Sequence, residues 1–165
     1  MRKLWVVSLI ILLLVSCRRD QNADLNEAGT ELEFKNEDLP KRVRINPRAS
    51  SIIQEWPEYN AFDTSFDAIY NATNNEDLIL AIEDLIEKQK LWEDSTYPES
   101  FDKPQIKSRQ KVLKTYILKV RTALEFRDDF TAATIDMIHA YNALRSQFDI
   151  IMNSTLDPKL LLDEE

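Results

Sequence analysis

Apolar residues recur at intervals of three and four in four stretches of the chain, at about residues 48–71, 75–93, 104–127 and 131–153. This spacing puts apolar side chains on one face of an α-helix, whereas a half-buried strand alternates in steps of two. The pattern therefore predicts an all-α fold of four amphipathic helices. The four apolar stripes are Ile52, Trp56, Tyr59, Phe62, Phe66 and Ile69; Leu78, Ile82, Leu85, Ile86 and Trp92; Ile106, Leu113, Tyr116, Ile117, Val120 and Leu124; and Met137, Ile138, Tyr141, Leu144, Phe148, Ile151 and Met152.

Helix boundaries follow from prolines and capping residues. Pro57 lies within the first stretch and is expected to kink that helix or to start it afresh. The last two stretches are separated only by residues 127–129, Arg-Asp-Asp. We interpret them as two helices, because one helix of about 50 residues would be about 75 Å long and would lack a partner to cover it. Whether the two are continuous stays open at this point.

Four helices joined by short loops predict an up-down bundle at residues 47–155. Residues 17–46 are polar and charged, with little apolar periodicity, and are interpreted as a flexible N-terminal tether. Residues 156–165 are interpreted as an acidic C-terminal tail. The domain order is thus a leader at 1–16, a tether, a helical bundle and a tail.

Single copies of three residue types limit the chemistry. The chain has one Cys, one His and one Gly. One Cys excludes an intrachain disulfide and thiolate metal sites, one His excludes paired-His zinc motifs, and one Gly excludes the glycine-rich phosphate loops. We therefore expect neither metal nor cofactor.

The N-terminal 17 residues have the order of an export signal. Arg2 and Lys3 precede an apolar run from Leu4 to Val15, which would rise only about 18 Å as a helix, too short to cross a bilayer of about 30 Å. The run ends in Leu14-Val15-Ser16-Cys17, which resembles the lipobox of bacterial lipoproteins. The resemblance implies cleavage before Cys17, acylation of its thiol, and anchoring of the mature chain in a membrane.

The same resemblance implies a location in the cell envelope. Arg18 follows the lipidated position, without the Asp that often retains such proteins in the inner membrane, so we expect the periplasmic face of the outer membrane. Removal of Arg2 and Lys3 with the leader lowers the net charge from −8 by two, to −10. That charge disfavours nucleic acid as a partner.

Candidate catalytic residues are few. Asp136 and His139 have the spacing of a carboxylate-x-x-His metal unit, but the helical wheel places His139 on the solvent side. Asp63, beside the apolar face of the first helix, is the carboxylate to examine for a raised pKa, although pairing with an Arg or Lys is the simpler interpretation. We expect no enzymatic activity.

Two sets of residues suggest binding surfaces. Trp56, Phe62 and Trp92 are candidates for lining a groove between helices, or else they belong to the core. A basic stripe on the third helix is a candidate patch for an acidic partner, or else it pairs with the acidic second helix. The stripe comprises Lys103, Lys107, Lys111, Lys114 and Arg121.

The sequence thus favours a membrane-anchored envelope lipoprotein whose helical domain is an interaction or scaffold module for an unidentified envelope protein. The alternative is a module that binds an apolar small ligand or peptide in a groove between helices. A solid core around the three aromatic residues would count against that alternative.

Overall fold

The computed structural model describes residues 33–154, and every regular element in that range is an α-helix. The predicted all-α fold is therefore confirmed for this part of the chain. The helices are α1 (Pro47–Gln54), α2 (Pro57–Ser65), α3 (Asp67–Asn71), α4 (Asn75–Glu93), α5 (Pro104–Phe126) and α6 (Phe130–Ser154). The leader, Cys17 and the acidic tail lie outside the described residues.

The first predicted helix is divided into α1, α2 and α3. Pro57 occupies the first turn of α2, where its missing N–H costs nothing, and the preceding Trp56 leaves helical geometry at φ −111° and ψ 86°. Pro47 has the same role in α1, where the Asn46 side chain accepts a hydrogen bond of 2.8 Å from the Ala49 N–H. The division between α1 and α2 therefore follows from proline chemistry, as the fresh start considered for Pro57 implies, whereas the break between α2 and α3 contains no proline.

The other three helices lie close to the predicted boundaries. The Asn74 side chain caps α4 by accepting from the Asp77 N–H at 2.8 Å, and Pro104 occupies the first turn of α5. Arg127 ends α5 in the left-handed conformation, at φ 54° and ψ 38°. The last two stretches are consequently separate helices, as the sequence analysis favoured.

Aromatic rings dominate the core where α2, α4 and α6 meet. Tyr59 lies 5.2 Å from the rings of both Trp92 and Phe148, and Phe62 lies 5.1 Å from Trp92. These are the separations at which aromatic pairs attract beyond simple burial. The contacts bring helices that are distant in sequence into one continuous core.

Residues 33–46, which we call the strap, correct part of the tether prediction. The Phe34 side chain is fully buried, and its N–H donates to Asn75 at 2.8 Å. Further along, Val43 and Asn46 donate backbone hydrogen bonds to Asn142 and Asp149 of α6, each at 2.9 Å. Side-chain oxygens of the helices thus accept the backbone hydrogen bonds of the strap that a neighbouring strand would otherwise accept. The strap is part of the folded unit, and residues 17–32 lie outside the described range.

Candidate functional site

The three aromatic residues proposed to line a groove lie in the core. Trp56, Phe62 and Trp92 are each at most 1% exposed. Trp56 and Trp92 are 5.9 Å apart in an edge-to-face arrangement, and Phe62 packs against Trp92. The three rings are brought together, but their surfaces are occupied by one another. The core interpretation therefore fits the structure, and Trp56 also borders an open depression of about 430 Å³ beside Pro57 and Tyr97.

Asp63 is the centre of a polar cluster between α2, α6 and the strap. Its carboxylate accepts hydrogen bonds from Arg145 and from the Tyr141 hydroxyl, and Tyr59 donates to it at 3.3 Å. Arg42 of the strap lies 3.8 Å from the carboxylate and donates to the Asp63 carbonyl at 3.2 Å. The interpretation that Asp63 pairs with an arginine is confirmed.

Arg145 is the buried cation of this cluster, with only 8% of its surface exposed. Its Nε donates to the Val43 carbonyl at 2.7 Å, and its Nη1 donates to Tyr141 at 3.0 Å as well as to Asp63. The guanidinium also lies over the Tyr141 ring, 5.3 Å from its centroid. A guanidinium is always charged, so its burial requires a set of acceptors of this kind.

The tyrosines of the cluster are held in the neutral form. Burial, and then the neighbouring Asp63 charge, raise the pKa of Tyr59 well above its ordinary value. Burial likewise raises the pKa of Tyr141. Burial alone would lower the pKa of Arg145, but its neighbours in the cluster, the Asp63 carboxylate among them, raise it on balance. One oxygen of the Asp63 carboxylate thus accepts three hydrogen bonds, and the cluster serves to join the strap to the helices.

The basic stripe divides into paired and unpaired members. Lys114 forms an ion pair with Glu93 of α4 at 2.5 Å, and Lys107 pairs with Asp102 in the loop at the same distance. Within residues 33–154, Lys103, Lys111 and Arg121 form no ion pair at a contact distance, and all three are exposed. Pairing with the acidic helix therefore accounts for Lys114, the loop carboxylate of Asp102 accounts for Lys107, and the other three residues face solvent.

An apolar furrow runs between α4 and α5 and is the surface that sequence reasoning missed. One open depression of about 230 Å³ lies between Ile79 and Leu124, and a second, of about 380 Å³, lies between Ile86 and Leu118. Ile86 and Leu124 belong to the apolar stripes of their helices, whereas Ile79 and Leu118 lie beside those stripes. Ile79 and Leu118 keep 39% and 41% of their surfaces exposed. The sequence signal that could have revealed this furrow is one apolar residue just outside each apolar stripe, Ile79 on α4 and Leu118 on α5.

Charged residues form the two banks of the furrow. Glu83 and Glu93 of α4 and its C-cap residue Asp94 line one side, and Lys114 and Arg121 line the other from α5. Lys90 on the first bank and Glu125 on the second have the opposite sign to their neighbours. The Lys114 ammonium lowers the pKa of Glu93 by donating a hydrogen bond to it, against the smaller opposing effect of burial. The furrow thus has an acidic bank, an apolar floor and a basic bank.

The remaining candidate residues lie apart from both features. His139 is exposed on α6, as predicted, and Asp136 accepts from Lys119 of α5 at 2.9 Å. No group of three or more metal-ligating side chains occurs within residues 33–154. In that same range no helix has the length and apolar character needed to cross a bilayer.

No family model matches the chain, and no curated protein or solved structure matches it either. Functional inference therefore depends on the furrow, the Asp63 cluster and the N-terminal sequence alone.

Proposed function

We propose that this protein is a lipid-anchored interaction module of the bacterial cell envelope, which binds another protein chain through the furrow between α4 and α5. The observation that carries the proposal is the exposure of Ile79 and Leu118 at two open depressions between the same pair of helices, each lined by apolar and charged residues. Contiguous apolar surface with a polar rim is typical of protein-binding sites. We also propose a binding role without catalysis, since the Asp63 carboxylate is held by Arg145 and Tyr141, and the exposed His139 is not among the residues that contact it.

The anchor in this proposal is acylated Cys17, supported by the lipobox Leu14-Val15-Ser16-Cys17. Residues 18–32 would link the anchor to the strap, a distance of at most about 55 Å for a fully extended chain. The hydrogen bonds from Val43 and Asn46 to α6 support a firm junction at the end of this link. The folded unit would therefore stay within reach of the lipid surface.

The arrangement of the helices is part of the proposal. Glu93, at the end of α4, pairs with Lys114, whereas Ile79, at its start, lies beside Leu124 near the end of α5. The two helices are therefore antiparallel. We propose that α2–α3, α4, α5 and α6 act together as an up-down bundle that presents the furrow on one side.

The binding proposal is tested by photo-cross-linking in cells of the source bacterium. A photoreactive amino acid replaces Leu118 in the furrow, or Ile150 on α6 as a matched control, because both are exposed apolar residues on a helix. The proposal expects a discrete adduct at Leu118 and none at Ile150. Equal labelling of both positions, or no adduct at Leu118, would refute the furrow as a binding surface.

The anchor is tested separately by membrane fractionation. The wild-type protein is expected to sediment with membranes and to incorporate labelled palmitate, and Cys17→Ser is expected to do neither. Membrane association and labelling that survive Cys17→Ser would refute acylation at this residue.

A further inference from the structure

The two banks of the furrow are complementary to each other in charge. Of the four charged residues that line it from α4 and its C-cap, three are acidic, and of the three that line it from α5, two are basic. The charges beyond the rim follow the same division. The outward side of α4 adds Glu76 and Glu87, and the outward side of α5 adds Lys107 and Lys111. A partner that matches this furrow therefore needs a basic helix over α4 and an acidic helix over α5.

This chain itself presents such a surface. Resting on the proposed function, we propose that the occupant of the furrow is a second copy of this chain, related by a two-fold axis that runs parallel to α4 and α5. That axis places α4 of each copy over α5 of the other, and acidic banks face basic banks. An interface about a two-fold axis uses the same patch on both subunits, as this arrangement requires.

The register of the charges fits the same axis, because rotation about it keeps every residue at its own height along the helices. Glu83 and Arg121 line the same depression and lie at one height, and Asp94 and Lys114 line the other. In the dimer Glu83 of one copy therefore lies over Arg121 of the next. Arg121, unpaired within the described part of the chain, gains an acidic partner.

The competing two-fold axis, perpendicular to the helices within the interface, is disfavoured by charge. It would place α4 over α4 and α5 over α5, so that the mainly acidic bank and the mainly basic bank would each face their own copies. Like charges brought together at an interface cost several kcal/mol. The banks thus select one of the two symmetric arrangements.

The dimer is expected to be weak. From Ile79 to Glu93 the furrow rises about 21 Å, and two helices are about 20 Å wide, so each copy covers about 400 Å². This is half of the roughly 800 Å² that each partner contributes to a standard interface. Association is therefore best detected by covalent trapping, and anchoring of both copies in one membrane would favour it by raising their effective concentration.

Single cysteines test both the dimer and its axis. The full chain carrying Cys17→Ser, solubilised in mild detergent, receives Ile79→Cys, Leu118→Cys or, as a matched exposed control, Ile150→Cys. A short bismaleimide then links two copies only where the same residue lies close to itself across the axis. Circular dichroism verifies that each variant is helical.

With the parallel axis, Ile79→Cys and Leu118→Cys should each give a cross-linked dimer several-fold above Ile150→Cys. With the perpendicular axis Leu118, near mid-furrow, would still cross-link. Ile79, however, lies about seven residues from the middle and would be about 20 Å from its counterpart, beyond the linker. Cross-linking at Leu118 alone, at neither furrow position, or equally at all three would overturn the proposal.

Failure of this inference can be told apart from failure of the proposed function. One outcome is a photo-adduct at Leu118 whose mass differs from twice the chain mass, together with no bismaleimide dimer. That outcome would refute the dimer and leave the furrow as a binding surface for a different protein. No photo-adduct and no bismaleimide dimer would refute both. An adduct of twice the chain mass in cells, with both furrow cysteines cross-linking, supports both.

Discussion

Removal of the Asp63 carboxylate should be the most damaging change to a charged side chain in the described residues. In Asp63→Ala, Arg145 loses its hydrogen-bonded counter-charge while it stays 8% exposed, and the Tyr141 hydroxyl loses its acceptor. Arg42 also loses an ion-pair partner at 3.8 Å. The substitution therefore leaves a buried cation poorly compensated, which is one of the few mechanisms that give large losses of stability.

The size of the loss follows from what Arg145 keeps. Breaking one partner out of a fully buried pair costs about 3–5 kcal/mol. Here the Asp63 side chain is 26% exposed, so water can replace part of the lost interaction. Arg145 also retains the Val43 carbonyl at 2.7 Å and Tyr141 at 3.0 Å. We therefore expect the free energy of unfolding to fall by about 2–3 kcal/mol, below the fully buried range.

Urea unfolding followed by fluorescence of the buried Trp56 and Trp92 measures this change. With a slope of about 2 kcal/mol per molar urea, the midpoint should fall by about 1–1.5 M. Asp136→Ala is the matched control, because Asp136 pairs with Lys119 at 2.9 Å with both side chains about half exposed. That variant should lose no more than about 0.5 kcal/mol.

A double variant separates the charge effect from general damage. Asp63→Ala combined with Arg145→Met should be less destabilised than the sum of the two single variants, because the uncompensated cation is then gone. If Asp63→Ala unfolds at the same urea concentration as Asp136→Ala, or if the double variant shows additive losses, the charge-pair explanation of the cluster is wrong.

Two further changes test the helices that border the furrow. Lys114→Met should raise the pKa of Glu93, measured by NMR titration, because the lowering depends first on the Lys114 hydrogen bond. Because folding lowers the Glu93 pKa, this ion pair stabilises the protein fully above the ordinary pKa of 4.5, and the contribution is lost as the pH falls through the lowered pKa. An unchanged Glu93 pKa in Lys114→Met would contradict this reasoning. Arg127→Gly should raise the free energy of unfolding by about 0.5–1 kcal/mol, because Arg127 has φ 54°. A lower thermal midpoint in Arg127→Gly would show that its side chain outweighs that backbone cost.

The helices were predictable because their signal is local. Every residue of a stripe such as Leu78, Ile82 and Leu85 lies within one or two turns of the next, and packing of that face determines the helix. Proline and asparagine at the starts of α1, α4 and α5 act over three residues or fewer. Boundaries determined by such short-range chemistry can be inferred from sequence without knowledge of the partner.

The strap could not be predicted because its partners are distant in sequence. Val43 and Asn142 are 99 residues apart, and Asp63 and Arg145 are 82 apart. A polar stretch without periodicity looks like a linker until the side chains that bind its backbone are known. Arg145 was overlooked for the same reason, because a cation near an apolar stripe is assigned to solvent unless its buried acceptors are known.

The basic stripe shows how a local interpretation can be correct and incomplete. Pairing with α4 explains Lys114, and Asp102 explains Lys107, so the explanation without a ligand holds for those two residues. Arg121 is different, because it lines the same depression as Glu83 and Glu125 yet forms no ion pair within residues 33–154. Within one copy, α4 and α5 can pair only those charged side chains that face each other. The outward charges, together with exposed Ile79 and Leu118, are what a second pair of helices would cover.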